Sequence, residues 1–262
     1  MDTTHTVVPL GPHRLSVRHC RHAGGGGRPT LVFLHEGLGA ITTWKDYPAA
    51  LADALACDHL VYDRPGHGNA SPLTAARTER YLHEEALNVL PGLLDATAID
   101  RAVFVGHSDG GTISLLFAAA HPDRTVAVVS EAAHLWVDEV TLEGIREAVA
   151  AYEAGRLRTA LRRHHGRQTE TLFRAWSDTW LGPGFRHWSI REEIGAVRCP
   201  VLVIQGEADP YGEPEQARAI AAAVGEGGRL LLLPEVGHVP HREARERVLA
   251  ESIAFLAPLL SR

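Results

Sequence analysis

Residues Val103 to Ile113, reading Val-Phe-Val-Gly-His-Ser-Asp-Gly-Gly-Thr-Ile, constrain this chain more than any other stretch. A short apolar run of β type ends at Gly106, a lone serine follows, and two glycines lead into an apolar helical pattern through Ala120. The order is strand, sharp turn, helix, with Ser108 at the turn in the pattern G-x-S-x-G, a nucleophile elbow. The turn strains the backbone at Ser108, so small residues are needed two before it (Gly106) and two after it (Gly110). The Ser108 hydroxyl then projects above the sheet, where the first N–H groups of the new helix favour negative charge.

A strand that delivers a helix belongs to a βα alternation, and the rest of the chain supplies one. Residues 6–10 and 14–20 read as a hairpin around Gly11-Pro12, and 30–34 as a buried strand. Helical spacing over 44–56 places Trp44, Tyr47, Leu51 and Leu55 on one side. A strand at 59–62, a helix over 78–95, the elbow and a strand at 125–130 follow. The rhythm stops over 134–195, which carries Trp136, Trp176, Trp180 and Trp188, four of the five tryptophans, and helical patches without a convincing strand. It resumes with a strand at 200–204, a helix at 214–224, a strand at 229–233 and a closing helix at 241–260. The expectation is an α/β fold: a mostly parallel sheet with helices on both faces, formed by residues 1–133 and 196–262. Residues 134–195 would be a helical cap, or lid, inserted over the C-terminal ends of the strands.

Composition narrows the function. The chain has 262 residues, 45% hydrophobic and 22% charged, which suits a globular protein with a sizeable core. A formal charge of −6 argues against a nucleic-acid partner, whose basic footprint is absent. Cys20, Cys57 and Cys199 are odd in number and widely spaced, so neither a disulfide framework nor a metal site is expected. The opening Met1 to His5 has no basic or apolar leader, and no run reaches membrane-spanning length, so a cytoplasmic protein with no membrane partner is expected. No feature calls for a cofactor, and the oligomeric state is open.

In open α/β sheets ligands bind beyond the carboxyl ends of the strands. After the strand at 200–204 comes Gly206-Glu207-Ala208-Asp209, and after that at 229–233 comes Gly237-His238. With Ser108 they give the order serine, acid, histidine. A serine hydroxyl is a weak nucleophile until an imidazole takes its proton, and a carboxylate fixes that imidazole's tautomer and steadies its charge. Glu207 competes with Asp209, which lies further past the strand. His241 competes with His238, but falls at the first turn of the closing helix.

These features, with His35-Glu36-Gly37 and Asp63-Arg64-Pro65-Gly66-His67-Gly68, resemble the α/β-hydrolases of the lid-bearing esterase type over nearly the whole chain. Ser-Asp-Gly-Gly, followed by Asp138-Glu139 and Glu143-Gly144-Ile145-Arg146, is similar to the biphenyl-hydrolase-like (valacyclovir hydrolase) branch, which cleaves amino-acid esters. The resemblance implies a catalytic triad of Ser108, Asp209 and His238 acting on a small-molecule ester through an acyl-enzyme. It implies an oxyanion hole of the Asp109 and Gly37 backbone N–H groups, although Glu36 stands where the family usually has glycine. Lactones, thioesters, amides and carbon–carbon bonds are alternative targets, and a ligand receptor with a retained triad is a non-catalytic alternative.

Substrate contacts are expected from both halves of the site. The apolar inner face of the cap would bring Trp136, Trp176 and Trp180 onto the substrate. Glu36, Asp109 and Glu131 follow neighbouring strands on the catalytic face. Unpaired carboxylates in a partly dry cleft need a cation or a proton, so they would favour an amine-bearing substrate unless internal cations such as Arg64, Arg162 or His164 neutralise them.

Overall fold

The computed structural model describes residues 2–24 and 26–260; Met1, Gly25, Ser261 and Arg262, which the assignment of 1–133 and 196–262 to the core included, lie outside the described residues. Eight strands form one sheet. They are β1 (Asp2–Leu10), β2 (His13–Arg21), β3 (Thr30–Leu34), β4 (His59–Asp63), β5 (Ala102–His107), β6 (Thr125–Glu131), β7 (Val201–Gly206) and β8 (Gly228–Leu233). Their spatial order is β1-β2-β4-β3-β5-β6-β7-β8. The opening hairpin pairs antiparallel, β2 joins β4 antiparallel, and every later pair is parallel. The expected doubly covered, mostly parallel sheet is therefore present.

The sheet is covered on both faces because its central strands are apolar on both sides. On β3, Leu31 and Phe33 join one core cluster, with Trp44, Leu51 and Val248, whereas Val32 and Leu34 join the other, with Phe104 and Phe117. That is the period of two expected of a strand. The first face is covered by α1 (Tyr47–Leu55) and the long closing helix, the second by helices following β4 and β5. Between β4 and β5, α2 (Tyr81–Glu84) passes through a π-helical turn at Glu85–Val89 into α3 (Leu90–Ala96). The elbow helix α4 (Asp109–Ala120) is central and almost wholly buried.

Between β6 and β7 the chain forms α5 (Glu139–Glu153), α6 (Arg156–His165), α7 (Thr169–Leu181) and the short α8 (Arg191–Ile194), with no named strand. Asp138 caps α5, its carboxylate accepting from the Thr141 N–H at 2.8 Å. After β7 come α9 (Pro214–Val224), α10 (Pro240–Glu243) and α11 (Arg245–Leu260). Trp44 sits in a 3₁₀ turn (Ile41–Trp44) ahead of α1 and not within it. No helix among the described residues is long and apolar enough to cross a membrane.

Candidate active site

Ser108 follows β5 directly, with φ 54° and ψ −117°, left-handed for a residue bearing a Cβ. The strain is held by packing and by the Ser108 N–H, which donates to the Glu131 carbonyl on β6 at 2.8 Å. Two glycines make the turn possible. A Cβ on Gly106 would collide with the Gly110 backbone, and one on Gly110 with the Leu34 carbonyl.

Two loops past the sheet bring in the other members. Asp209, just beyond β7, is buried, and both its oxygens lie within reach of His238 Nδ1, at 2.9 and 2.8 Å. Gln205 Nε2 donates to Asp209 Oδ2 and the Tyr211 N–H to Oδ1, each at 2.8 Å, so the carboxylate is fixed from three sides. Burial works against its charge, but His238 and the Tyr211 N–H outweigh it and hold the carboxyl below the ordinary range. Glu207 is exposed, and His241 belongs to α10 with its Nδ1 on Glu131 at 2.9 Å. Because Asp209 occupies Nδ1, the other nitrogen of His238 is left for the serine side, and Ser108 and His238 line one cavity of about 120 Å³.

That cavity is walled by Leu38, Ile145, Trp176, Trp180 and Tyr211, with Glu36 and Asp109 at the Ser108 end and no lysine or arginine in its lining. The indole of Trp176, on α7, lies against Gly37: a Cβ there would sit 2.6 Å from Trp176 Nε1. Trp180 Nε1 donates to the Tyr81 hydroxyl at 2.9 Å, and Tyr81 donates in turn to Asp109 Oδ2 at 2.9 Å. Two of the expected substrate contacts need correction. Glu131 is fully buried and turned away from the cavity onto His241, and Trp136 is not among the lining residues, its ring stacked under the Arg191 guanidinium at 4.0 Å. Tyr211, His134, Thr141 and Ile145 line the cavity without having been expected; Tyr211 follows Asp209-Pro210 closely enough that the loop could have suggested it.

The three acids are all internally partnered. Arg64 Nη2 reaches Asp109 Oδ2 at 3.3 Å, Glu36 Oε2 lies 3.4 Å from His107 Nδ1, and Glu131 holds His241. Arg64 was a foreseeable neutraliser; His107 and His241 were not. Both bonds to Asp109 fall on Oδ2, and Oδ1 is the oxygen on the Gly37 side.

His107, the x of G-x-S, ties the elbow to the loop that carries His238. Its Nε2 is 2.6 Å from the His238 carbonyl and its Nδ1 faces Glu36 at 3.4 Å, so both nitrogens meet acceptors, an arrangement that favours the doubly protonated ring. Burial opposes that charge, but Glu36 prevails and raises the imidazole above its ordinary 6.5. Glu36 is correspondingly depressed, the pull of His107 outweighing burial. The two groups stabilise the fold over different pH windows. A raised histidine stabilises the fold fully below 6.5 and loses that contribution as pH rises through its folded value. A depressed Glu36 contributes above 4.5, its ordinary value, and loses it only in stronger acid. The melting temperature of wild type should therefore exceed that of His107→Gln most at about pH 5.5, by roughly 2–4 °C for each kcal/mol lost. The gap should narrow toward pH 9. Calorimetry across that range checks this, and a gap independent of pH would remove the charged-pair account.

Residues 31–251 match the alpha/beta hydrolase family. The chain belongs to that family. Among curated relatives of this hydrolase-family chain, the dihydrolipoyllysine-residue acetyltransferase component of an acetoin cleaving system from Pseudomonas putida is 27% identical over 89% of this chain and 65% of its own length. The Cupriavidus necator counterpart is matched over only 28% of its length, so the chain spans two thirds or less of these two relatives. The human serine hydrolase BPHL is 28% identical over 70% of this chain and 63% of its own. A 2-hydroxy-6-oxo-6-phenylhexa-2,4-dienoate hydrolase from Burkholderia cepacia is 23% identical over 98% of this chain and 97% of its own. Among solved structures, an enol-lactonase from Burkholderia xenovorans superposes with a TM-score of 0.74 at 22% identity, over 96% of this chain and 99% of its own. The last likeness is one of fold. Among the described residues no group of three or more His, Cys, Asp or Glu is arranged to hold a metal, and the three cysteines are buried and free.

Proposed function

We propose that the protein is a serine hydrolase of small carboxylic esters whose enclosed part is neutral or cationic. The observation that carries this reading is the meeting of Ser108 and the Asp209-held His238 on one apolar cavity that bears two carboxylates and neither lysine nor arginine. In the proposed reaction His238 takes the Ser108 proton as Oγ attacks the ester carbonyl. The oxyanion is received by the N–H groups of Asp109 and Gly37, and the alcohol leaves with the proton from His238. Water, activated by the same imidazole, then releases the acid. Residues 134–195 act as a cap in this reading, since α5 and α7 supply Ile145, Trp176 and Trp180 to the cavity wall.

Size and charge define the substrate class. An apolar cavity of roughly 150 Å³ holds one benzene-sized ring, so a cavity of about 120 Å³ suits a short acyl chain or a single small ring. The dienoate named for the Burkholderia cepacia relative carries a carboxylate, which Glu36 and Asp109 would repel; this favours ester cleavage over that carbon–carbon chemistry here. The amine preference rests on Asp109 Oδ1 and on the Glu36 oxygen not facing His107, with Arg64 and His107 offsetting part of each charge.

Matched p-nitrophenyl esters test the reading. Acetyl and butyryl esters are expected to exceed decanoyl, and neutral or α-amino acyl groups to exceed a carboxylate-bearing one by at least about tenfold in kcat/KM, equivalent to roughly 1.4 kcal/mol. Asp109→Asn should shrink any amine preference. Faster turnover of the carboxylate-bearing ester would point instead to the dienoate-type alternative.

A further inference from the structure

The Arg64 guanidinium is wholly buried, yet only one of its nitrogens is used: Nη2 donates to the Glu36 carbonyl at 2.9 Å and to Asp109 Oδ2 at 3.3 Å, while Nε and Nη1 have no protein acceptor among the described residues. A buried cation with most of its donors unpaired is a costly way to neutralise Asp109, since apolar side chains in place of both members of a buried ion pair are often as stable or more so. Stability alone therefore does not account for an arginine here.

Its two partners do. In a trans peptide the C=O and N–H point to opposite sides. The Glu36 carbonyl accepts from Arg64 Nη2 and from His35 Nδ1 at 2.8 Å; holding it on that side aims the Gly37 N–H the other way, toward the cavity that Gly37 lines with Ser108. The second partner, Asp109, carries the other N–H assigned to the oxyanion hole and starts α4. One nitrogen ties together the two residues whose N–H groups must converge on one oxygen.

Arg64 is itself fixed. Its N–H donates to His35 Nε2 at 3.2 Å, and His35 is held neutral by burial and by the Arg64 charge, which leaves that nitrogen free to accept. His67, three residues on, places Nε2 at 3.0 Å from the Gly37 carbonyl. The segment after β4 thereby grips two successive carbonyls of the loop after β3. We infer that Arg64 is a positioning residue of the oxyanion hole, fixing the Gly37 and Asp109 N–H groups relative to each other.

The inference rests on the serine-hydrolase reading and deepens it. Arg64→Met keeps the stem and removes the donor, and Arg64→Lys restores a single donor, which is all the site uses. With p-nitrophenyl acetate, Arg64→Met is expected to lower kcat by about 30–100-fold, the scale of misplacing a reacting geometry by about 1 Å. Its KM should stay within about threefold, as for a group felt only in the transition state. Phosphonylation of Ser108 by a fluorophosphonate should slow in parallel; the Met variant should melt lower than wild type, because Asp109 is left buried without its cation, so both rates are read on folded protein. Arg64→Lys should recover at least a tenth of the wild-type kcat. If the Met variant does not fold, Arg64→Gln is read by the same kcat and labelling criteria. A folded Met or Gln variant with wild-type kcat and labelling rate overturns the inference alone, as does a loss confined to KM. A wild-type protein that neither turns over the ester nor reacts with the fluorophosphonate overturns the serine-hydrolase reading and this inference with it.

Discussion

Ser108→Ala is expected to lower kcat for p-nitrophenyl acetate by about 10⁴-fold or more and to abolish covalent labelling by a fluorophosphonate. The size of the effect follows from the covalent role proposed for the residue. Without the hydroxyl there is no acyl-enzyme, and only cavity binding and the oxyanion donors remain to favour attack by water. The fold should survive, because the strained backbone at φ 54° is imposed by the glycines and by the hydrogen bond to Glu131, neither of which uses the Ser108 side chain. Peptide mapping of the labelled wild type should find the phosphonate on Ser108 alone. Label on another residue, or an alanine variant with wild-type turnover, would remove Ser108 from the nucleophile role.

Asp209→Asn is the second large effect, a loss of up to about 10⁴-fold in kcat with the fold retained. The carboxylate accepts from His238 Nδ1, from Gln205 and from the Tyr211 N–H. An amide can keep some of these contacts, but its NH₂ group placed against Nδ1 favours the imidazole tautomer with the proton on the wrong nitrogen. His238 then presents N–H to Ser108 and cannot take its proton. Glu207→Gln, in an exposed side chain beyond the reach of His238, is the control and should leave kcat within about twofold, as for a surface change away from special contacts. A reversed outcome, with Glu207→Gln crippled and Asp209→Asn active, would reassign the acid.

Local grammar made much of this legible. The strand–serine–helix stretch, the βα order and the absence of strands over 134–195 all depend on periodicity and on glycine placement within a few residues, which a chain carries wherever it folds. A candidate acid and histidine could be proposed because parallel strands in such a sheet end on one side, so the loops leaving β7 and β8 must lie near the turn that leaves β5. Some local features escaped. The edge strand β1 runs from Asp2, well before residue 6, because its exposed, polar stretch has no buried face to impose an alternation. The π-helical turn at Glu85–Val89 has no pattern of its own in an apolar helical run.

What the sequence by itself determined was the fold class, the elbow and the order of the triad candidates, since each comes from local sterics and from the direction of parallel strands. What only the tertiary structure decided was how the acids are neutralised and which tryptophans face the cavity. Glu36 meets His107 across 71 residues and Asp109 meets Arg64 across 45, pairings set by β4, β3 and β5 lying side by side. Glu131 reaches His241 across 110 residues and so leaves the catalytic face that its position after β6 suggested. Trp176 and Trp180 share one face of α7, whereas Trp136 lies on a connecting segment turned toward Arg191. A side chain's charge and bulk are written in the chain, but the partner that cancels the charge and the wall that receives the bulk exist only once distant strands and helices have packed together.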